Sequence, residues 1–409
     1  MSAELPLRAP VALLTRRRTL AGLMATTGTL LAGCSGSSSL LNSFTSSTPP
    51  PPQEAQAGPG ATIGTGSVKV ALILPLSAGG NAGLAGQAMR NAAEMALAEF
   101  NAPNIQLLVK DDAGTADGAR QGAQQALDEG VEIILGPLFA QSVSVVGQVA
   151  RARNVPVIAF STDANVASNG VYLLSFLPES DVERIVQYAA STGKRSYAAL
   201  IPDNPYGTVV EAAFKQAVAR RNGQLVALER YAHDKAAMAG PVRTVAQAAA
   251  RAEALFIPDG GDAVPDVAQM LVASGVNTKK LQFLGTGLWD DPRISSSPAL
   301  DGGWYAAPEV AGYRGFSERY RARYKLEPAR TATLAYDAVA LIAALVKTQG
   351  PQRFAPTVLT NPSGFTGIDG LFRFRTDGTN ERGLAVLRVT ASGTQMISPP
   401  PKSFGASGI

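Results

Sequence analysis

The run Val68-Lys69-Val70-Ala71-Leu72-Ile73-Leu74-Pro75-Leu76-Ser77 constrains the fold of this chain more than any other stretch. It is β-branched and almost continuously apolar, as a strand buried on both faces of a parallel sheet must be. Pro75 ends it, and a Gly-rich loop follows, Ser77-Ala78-Gly79-Gly80-Asn81-Ala82-Gly83. A helical pattern then puts Ala88, Ala92, Ala96 and Phe100 on one face. Strand, Gly-rich loop and helix start is how an open α/β sheet builds a ligand edge at the carboxyl ends of its strands.

The rhythm continues. After the first strand, Val68–Leu76, strands are predicted at Ile105–Lys110, Val131–Leu135 and Val155–Phe160, and a short one at Val171–Ser175 runs into Phe176-Leu177-Pro178. It then restarts, with strands at Tyr197–Pro202, Gln224–Tyr231, Ala254–Pro258 and Leu281–Leu284. Two sets of βα units with a break between them predict an α/β protein of two doubly wound parallel-sheet lobes. A closed barrel would need evenly spaced units without that break. Helices at Phe316–Tyr324 and Thr331–Lys347 follow, then a turn at Asp377-Gly378-Thr379-Asn380 and a strand at Arg382–Thr390. Residues 398–409 are expected to be a disordered tail.

With 409 residues, 46% apolar and 17% charged, the chain has the material for two packed cores. Its net charge of +4 is no sign of nucleic-acid binding, because Arg8, Arg16, Arg17 and Arg18 stand against Glu4 alone in residues 1–33. Cys34 and His233 are the only residues of their kinds, which excludes an intrachain disulfide and leaves almost nothing for zinc sites or His-dependent triads. His233, in a polar stretch, reads as a surface loop residue. Gly79, Gly80, Gly83 and Gly86 do not fit G-x-G-x-x-G, and no Walker sequence is present. No nucleophile–base pair or metal cluster assembles, so the chain is expected to be a binding protein without cofactor rather than an enzyme.

Arg16-Arg17-Arg18 precedes a modest apolar run, Leu20 to Ala32, which has the form of a secretory signal and is too short for an ordinary transmembrane helix. Leu31-Ala32-Gly33-Cys34 resembles a bacterial lipobox, which implies lipidation at Cys34 and removal of residues 1–33. Ser35 after the cysteine permits the outer membrane by the same resemblance. Residues 34–66, rich in Ser and Pro with a tract at Pro49–Pro52, are expected to be an extended tether.

The order of elements resembles the type 1 periplasmic binding-protein fold, and within it the Leu/Ile/Val-binding protein family. The residues that carry the resemblance are Val68–Ser77, Asp111-Asp112-Ala113, Gly136-Pro137, Asn204-Pro205-Tyr206-Gly207, Tyr336-Asp337-Ala338 and the pattern Phe365-x-Gly367-x-x-Gly370-x-x-x-Phe374. It implies two lobes joined by three crossovers near Pro178, Ala307 and Asn361, closing on a ligand like a hinge. Lobe 1 is then 67–178 with 308–361, and lobe 2 is 179–307 with 362–397. Exported and facing the periplasm, such a protein binds an amino-acid-like ligand and serves an ABC permease. Gly285-Thr286-Gly287-Leu288-Trp289, Leu300–Pro308 and Leu334–Ala338 also resemble penicillin-binding-protein activator lipoproteins, whose partner is a peptidoglycan synthase.

The resemblance also implies a cleft. Tyr206 matches a stacking tyrosine, and Ser161 and Thr162 match donors for a ligand carboxylate, although all three serve equally well as contact, cap or turn residues. The serine expected after Gly136-Pro137-Leu138 is replaced by Phe139-Ala140, with Gln141 and Ser142 beyond. Ser77 stands at the edge of the first strand. The acid that would pair an α-ammonium should follow Leu281–Leu284, where Gly287 stands. Asp163, Asp259, Asp262, Asp290 and Asp291 are the candidates to replace it, and Trp289 is a candidate wall of the cleft mouth. Asp111-Asp112 reads as a solvated strand end.

Overall fold

A computed structural model describes residues 61–404 except residue 102. Cys34 and most of the expected tether lie outside the described residues. The strands and helices of the first half are β1 (Thr62–Ile63), β2 (Val68–Leu74), α1 (Gly80–Glu99), β3 (Ile105–Asp111), α2 (Ala116–Asp128), β4 (Ile133–Leu135), α3 (Ala140–Arg151), β5 (Val157–Ala159) and β6 (Val171–Leu173). They form a sheet of order β1-β3-β2-β4-β5-β6, parallel except for β1.

The apolar run that opens this sheet is buried on both faces. Val70, Leu72 and Leu74 pack with Met89 and Ala93 of α1, whereas Ala71 and Ile73 pack with Ala119 and Ala123 of α2 and Val143 of α3. A strand with one solvated face could not afford both sets.

The chain then enters the second lobe through α4 (Pro178–Ser191), β7 (Ser196–Pro202), α5 (Pro205–Arg220), β8 (Gln224–Tyr231), α6 (Lys235–Ala248), β9 (Ala254–Phe256), α7 (Ala263–Ala273), β10 (Gln282–Gly285), α8 (Pro292–Ser295) and β11 (Trp304–Ala307). Tyr197, Ala199 and Ile201 of β7 pack on Val182 and Ile185 of α4 and Phe214 of α5. Ala198 and Leu200 face the other way, onto Val242 of α6 and Val267 of α7. Two parallel sheets with helices on both faces are the predicted architecture.

The chain returns to lobe 1 in α9 (Val310–Tyr324) and α10 (Ala332–Thr348), the latter adding Leu334, Ala338 and Ile342 to the core beside α1. After α11 (Pro356–Leu359) comes an antiparallel ribbon of β12 (Phe365–Gly367), β13 (Gly370–Phe374) and β14 (Asn380–Arg382). The expected boundaries put residues 362–397 in lobe 2, but the ribbon packs on lobe 1. Phe372 and Phe374 join the core of β2, and Asn380 Nδ2 donates to the carbonyls of Leu173 (2.9 Å) and Ser175 (2.8 Å).

The third crossover is therefore at Gly383, not near Asn361. Beyond it, β15 (Ala385–Thr390) pairs antiparallel with β11, and β16 (Gly393–Ser398) with β15. The second sheet has the order β16-β15-β11-β10-β9-β7-β8. The tail is also packed as far as it is described. Arg184 donates to Ser398 Oγ (2.7 Å), and the Arg373 guanidinium lies 4.6 Å from the Phe404 ring centroid.

Candidate functional site

Each expected site residue follows the carboxyl end of a strand in one of the two sheets. On lobe 1, the Ser77 backbone donates to Asp111 Oδ1 at 3.2 Å. Gly83 and Gly86 approach their own loop closely, since a Cβ would lie 2.0 Å from Ala78 O and 2.8 Å from Pro75 O. Asp112 is not solvated. It is fully buried, its Oδ1 accepts from Gly114 N at 2.8 Å, and burial pushes its carboxyl up to about 6 against that bond, helped by the charge of Asp111.

Gln141 is exposed, with Nε2 on Gly114 O. Ser142 is fully buried, and its Oγ donates to Thr115 O at 3.3 Å. It ties α3 to the loop after β3 and has no surface for a ligand. Ser161 Oγ accepts from Asp163 N (3.1 Å), and the Asp163 carboxylate accepts from Asn165 N (3.0 Å) as the cap of a short 3₁₀ turn. Thr162 between them is exposed.

On lobe 2, Asn204 caps α5 by accepting from Gly207 N at 2.8 Å, with Pro205 in the first turn. Gly207 is required there, because a Cβ would lie 1.8 Å from Pro202 O. This cap aims Tyr206, whose hydroxyl shares a 2.9 Å hydrogen bond with buried Thr286 Oγ1. Burial pushes the Tyr206 hydroxyl up, and the charges of Asp181, Asp259 and Glu179 push it further.

Asp259 is already engaged. Its Oδ2 accepts from Tyr231 OH (2.6 Å) and His233 Nε2 (2.7 Å), and its Oδ1 accepts from Gly260 N (2.8 Å). His233 is half-exposed, as a loop residue should be, but its ring is held by Asp259. Asp291 and Asp262 pair with Arg293 (2.6 and 3.3 Å), and Asp290 Oδ1 accepts from Tyr305 OH at 3.4 Å. None of these three replaces an acid at position 287.

Trp289 is not a wall of the cleft. It is fully buried in the lobe 2 core, and its Nε1 donates to Ile257 O at 3.0 Å.

The acid beside Gly287 comes from α4. Gly287 N donates to Asp181 Oδ2 at 2.9 Å, and a Cβ at position 287 would stand 3.1 Å from that oxygen. Burial pushes the Asp181 carboxyl up to about 7; the Gly287 N–H and Arg382 oppose the shift, and Glu179 adds to it. Glu179 is pushed up as well, by burial and by the charge of Asp163, against its own backbone N–H, and its buried Oε2 has no hydrogen-bond partner. Sequence reading missed this pair because Pro178-Glu179-Ser180-Asp181 has the form of an ordinary helix start, with proline and acids in the first turn. The available signal was position: these acids follow the crossover directly.

A cavity of about 920 Å³ lies on the flank of the hinge, lined by Glu183, Arg184, Arg220, Arg375 and Phe404 among others. Tyr206 and Ser161 do not line it, but Ala164, Glu179, Ser180 and Arg382 do, so it reaches the α4 start that carries Glu179. Among the described residues, no group of three or more His, Cys, Asp or Glu side chains could hold a metal ion, and no helix is long and apolar enough to cross a membrane.

A family model described as periplasmic binding protein matches residues 67–394. Three solved structures share the fold over most of both chains. A candidate branched-chain amino acid ABC transporter from Rhodospirillum rubrum is 20% identical with a TM-score of 0.72, covering 81% of this chain and 99% of its own. A branched-chain amino acid ABC transporter periplasmic ligand-binding protein from Burkholderia xenovorans is 18% identical with a TM-score of 0.65, covering 83% and 97%. A solute-binding protein of an ABC transporter from R. palustris, in complex with benzoate, is 16% identical with a TM-score of 0.57, covering 84% and 99%. An uncharacterized protein of Rickettsia prowazekii is 25% identical over 114 residues, which is 28% of this chain and 30% of that relative.

Proposed function

The chain belongs to the periplasmic binding protein family, and on that premise we propose that it is an exported solute-binding protein that takes an amino-acid-like zwitterion between its lobes for an ABC-type permease. The observation that carries this reading is Asp181 bonded to Gly287 N, with Glu179 two residues before it on α4 and Tyr206 bonded to Thr286, the neighbour of Gly287. A ligand ammonium needs a carboxylate partner once it is desolvated. Asp181 and Glu179 offer carboxyl groups on lobe 2 that a bound ammonium would draw into the ionised form, and exposed Thr162 with the edge at Ser161 provides donors for the ligand carboxylate on lobe 1. A missing acid at 287 is one of the features, with the lipobox followed by Ser35 and the long tether, that favour a penicillin-binding-protein partner. With Asp181 against Gly287, the first of these falls away.

Thermal shift against a panel of amino acids, with benzoate as the ligand lacking an ammonium, tests the reading. A bound amino acid raises the unfolding midpoint by mass action. Asp181→Asn should then weaken it at least ~30-fold, since removing one partner of a buried hydrogen-bonded charge pair costs about 2–5 kcal/mol. Benzoate binding in preference to every amino acid would overturn the zwitterion assignment.

Anchoring through a lipid at Cys34 belongs to the same proposal. Cys34→Ala should move the protein from the membrane fraction to the soluble periplasmic fraction. A variant that stays with the membrane would refute lipidation at that residue.

A further inference from the structure

The chain crosses from lobe 1 to lobe 2 at Gly383 and then turns back. β16 ends at Ser398 in the sheet of lobe 2, yet residues 399–404 run on to the ribbon of lobe 1. Three contacts fix that path. On lobe 2, the Arg184 guanidinium of α4 grips both passes of the chain. Its Nε donates to Leu384 O at 2.8 Å, just beyond the crossover, and its Nη2 donates to Ser398 Oγ at 2.7 Å and Pro399 O at 3.4 Å. At the crossover, Pro401 covers Gly383, where a Cβ would lie 3.1 Å from Pro401 Cγ. On lobe 1, Phe404 sits over Gly364, where a Cβ would meet the ring edge at 2.9 Å, and the Arg373 guanidinium lies 4.6 Å from the ring centroid.

The ribbon holds the seat of Phe404 in place. Arg373 donates to Glu381 Oε2 from Nη2 (2.7 Å) and Nε (3.0 Å), and to Pro362 O from Nη1 (3.2 Å), which fixes the guanidinium against the ring. Gly364, at φ +74°, has no side chain in the space that the ring takes. Beneath the tail the two lobes are not packed together. The cavity of about 920 Å³ lies there, lined by Arg220 of lobe 2, Arg375 of lobe 1, and Pro399, Pro401 and Phe404 of the tail. A close-packed interface resists a change of angle, whereas a cavity leaves its walls free to approach or separate. On this flank the tail bridges the two walls.

We propose that residues 399–404 are a releasable interlobe strap, pinned to lobe 2 by Arg184 and seated on lobe 1 by Phe404, that limits the range of lobe angles. The three crossovers are covalent and define the hinge. The strap adds a tie whose lobe 1 end is held without a covalent bond, by an aromatic side chain that is only partly buried. With Phe404 seated, the lobes keep the angle seen here; with it unseated, the hinge samples a wider range. The inference rests on contacts within the chain alone and does not depend on which solute enters the cleft.

Double electron–electron resonance reads the lobe angle directly. Spin labels at Arg120→Cys on α2 and Lys215→Cys on α5, with Cys34 replaced by alanine, report the interlobe distance, because both native side chains are about half exposed (47% and 52%). Without added solute, the parent should show one narrow distance distribution. Phe404→Ala, and separately deletion of residues 399–409, should each broaden it by about twofold or more. Phe404→Tyr, which keeps a ring on Arg373, should match the parent. If the deletion does not fold, the two Phe404 variants decide the matter alone. A distribution unchanged in Phe404→Ala would overturn the strap even where the unfolding midpoint falls, because the tail would then be surface packing only. Equal broadening in Phe404→Tyr would overturn the aromatic seat.

Discussion

Trp289→Ala should destabilise the second lobe by about 3–5 kcal/mol, the usual cost of emptying a buried tryptophan site. The indole cannot be replaced by local collapse, because its seat is made of backbone. A Cβ at Gly285 would stand 2.1 Å from Trp289 Cδ2, and one at Gly303 2.8 Å from Trp289 Cζ3. Tyr305 packs 6.4 Å away, centroid to centroid, and the Ile257 carbonyl would lose its donor. The unfolding midpoint of lobe 2 should fall by roughly 10 °C. Tyr206→Phe, which keeps the ring and loses only the hydroxyl bonded to Thr286, should cost about 1 kcal/mol. Urea denaturation of both variants checks this. A Trp289→Ala curve within error of the Tyr206→Phe curve would mean that the indole is not a core residue.

Trp289 also shows what the sequence could and could not say. The two-lobe fold was legible because it rests on periodic burial: β2 alternates its side chains between two cores, and so does β7. An aromatic in a loop after a strand carries no such period. Next to Gly287 it looked like a cleft wall, and only the opposed glycines 285 and 303 make it core. The ribbon of residues 365–382 was misassigned for a related reason. Its Phe372 and Phe374 are apolar at strand spacing, which predicts a strand but not the lobe it joins. Ser142, in the first turn of α3, and Asp259, in the loop after β9, both follow strand ends, yet local hydrogen bonds engage their polar atoms. Asp181 is the reverse case. Helix-start chemistry fully accounted for it, and only the meeting of α4 with the end of β10 sets it against Gly287.

Two acids raised by desolvation, Asp337 and Asp181, should make stability fall as pH rises between about 5 and 8. Asp337 is 2% exposed, and burial pushes its carboxyl up to about 7; the Ile368 N–H, Arg382 and Arg330 oppose the shift, and Asp369 adds to it. Asp181 is likewise raised to about 7 among Glu179, Arg382 and Gly287 N. An acid raised above its unfolded value of 3.8 binds more protons folded than unfolded throughout the interval between the two values. Its stabilising contribution is complete below the lower value and is lost as pH climbs through the upper one. At about 1.4 kcal/mol per unit, each group gives up at most about 3 kcal/mol from pH 5 to pH 8. Below that window the opposite sign takes over, because Glu183, Glu211 and Asp291 are held low by arginine and lysine partners and lose those bonds on protonation. Thermal unfolding should therefore show a midpoint near pH 5 that is roughly 5 °C above the one at pH 8. Asp337→Asn should remove about half of that slope, and the Asp181→Asn, Asp337→Asn double variant nearly all of it. A wild-type midpoint that rises from pH 5 to pH 8, or a slope untouched in the double variant, would show that these carboxyls are ionised in the folded protein at neutral pH.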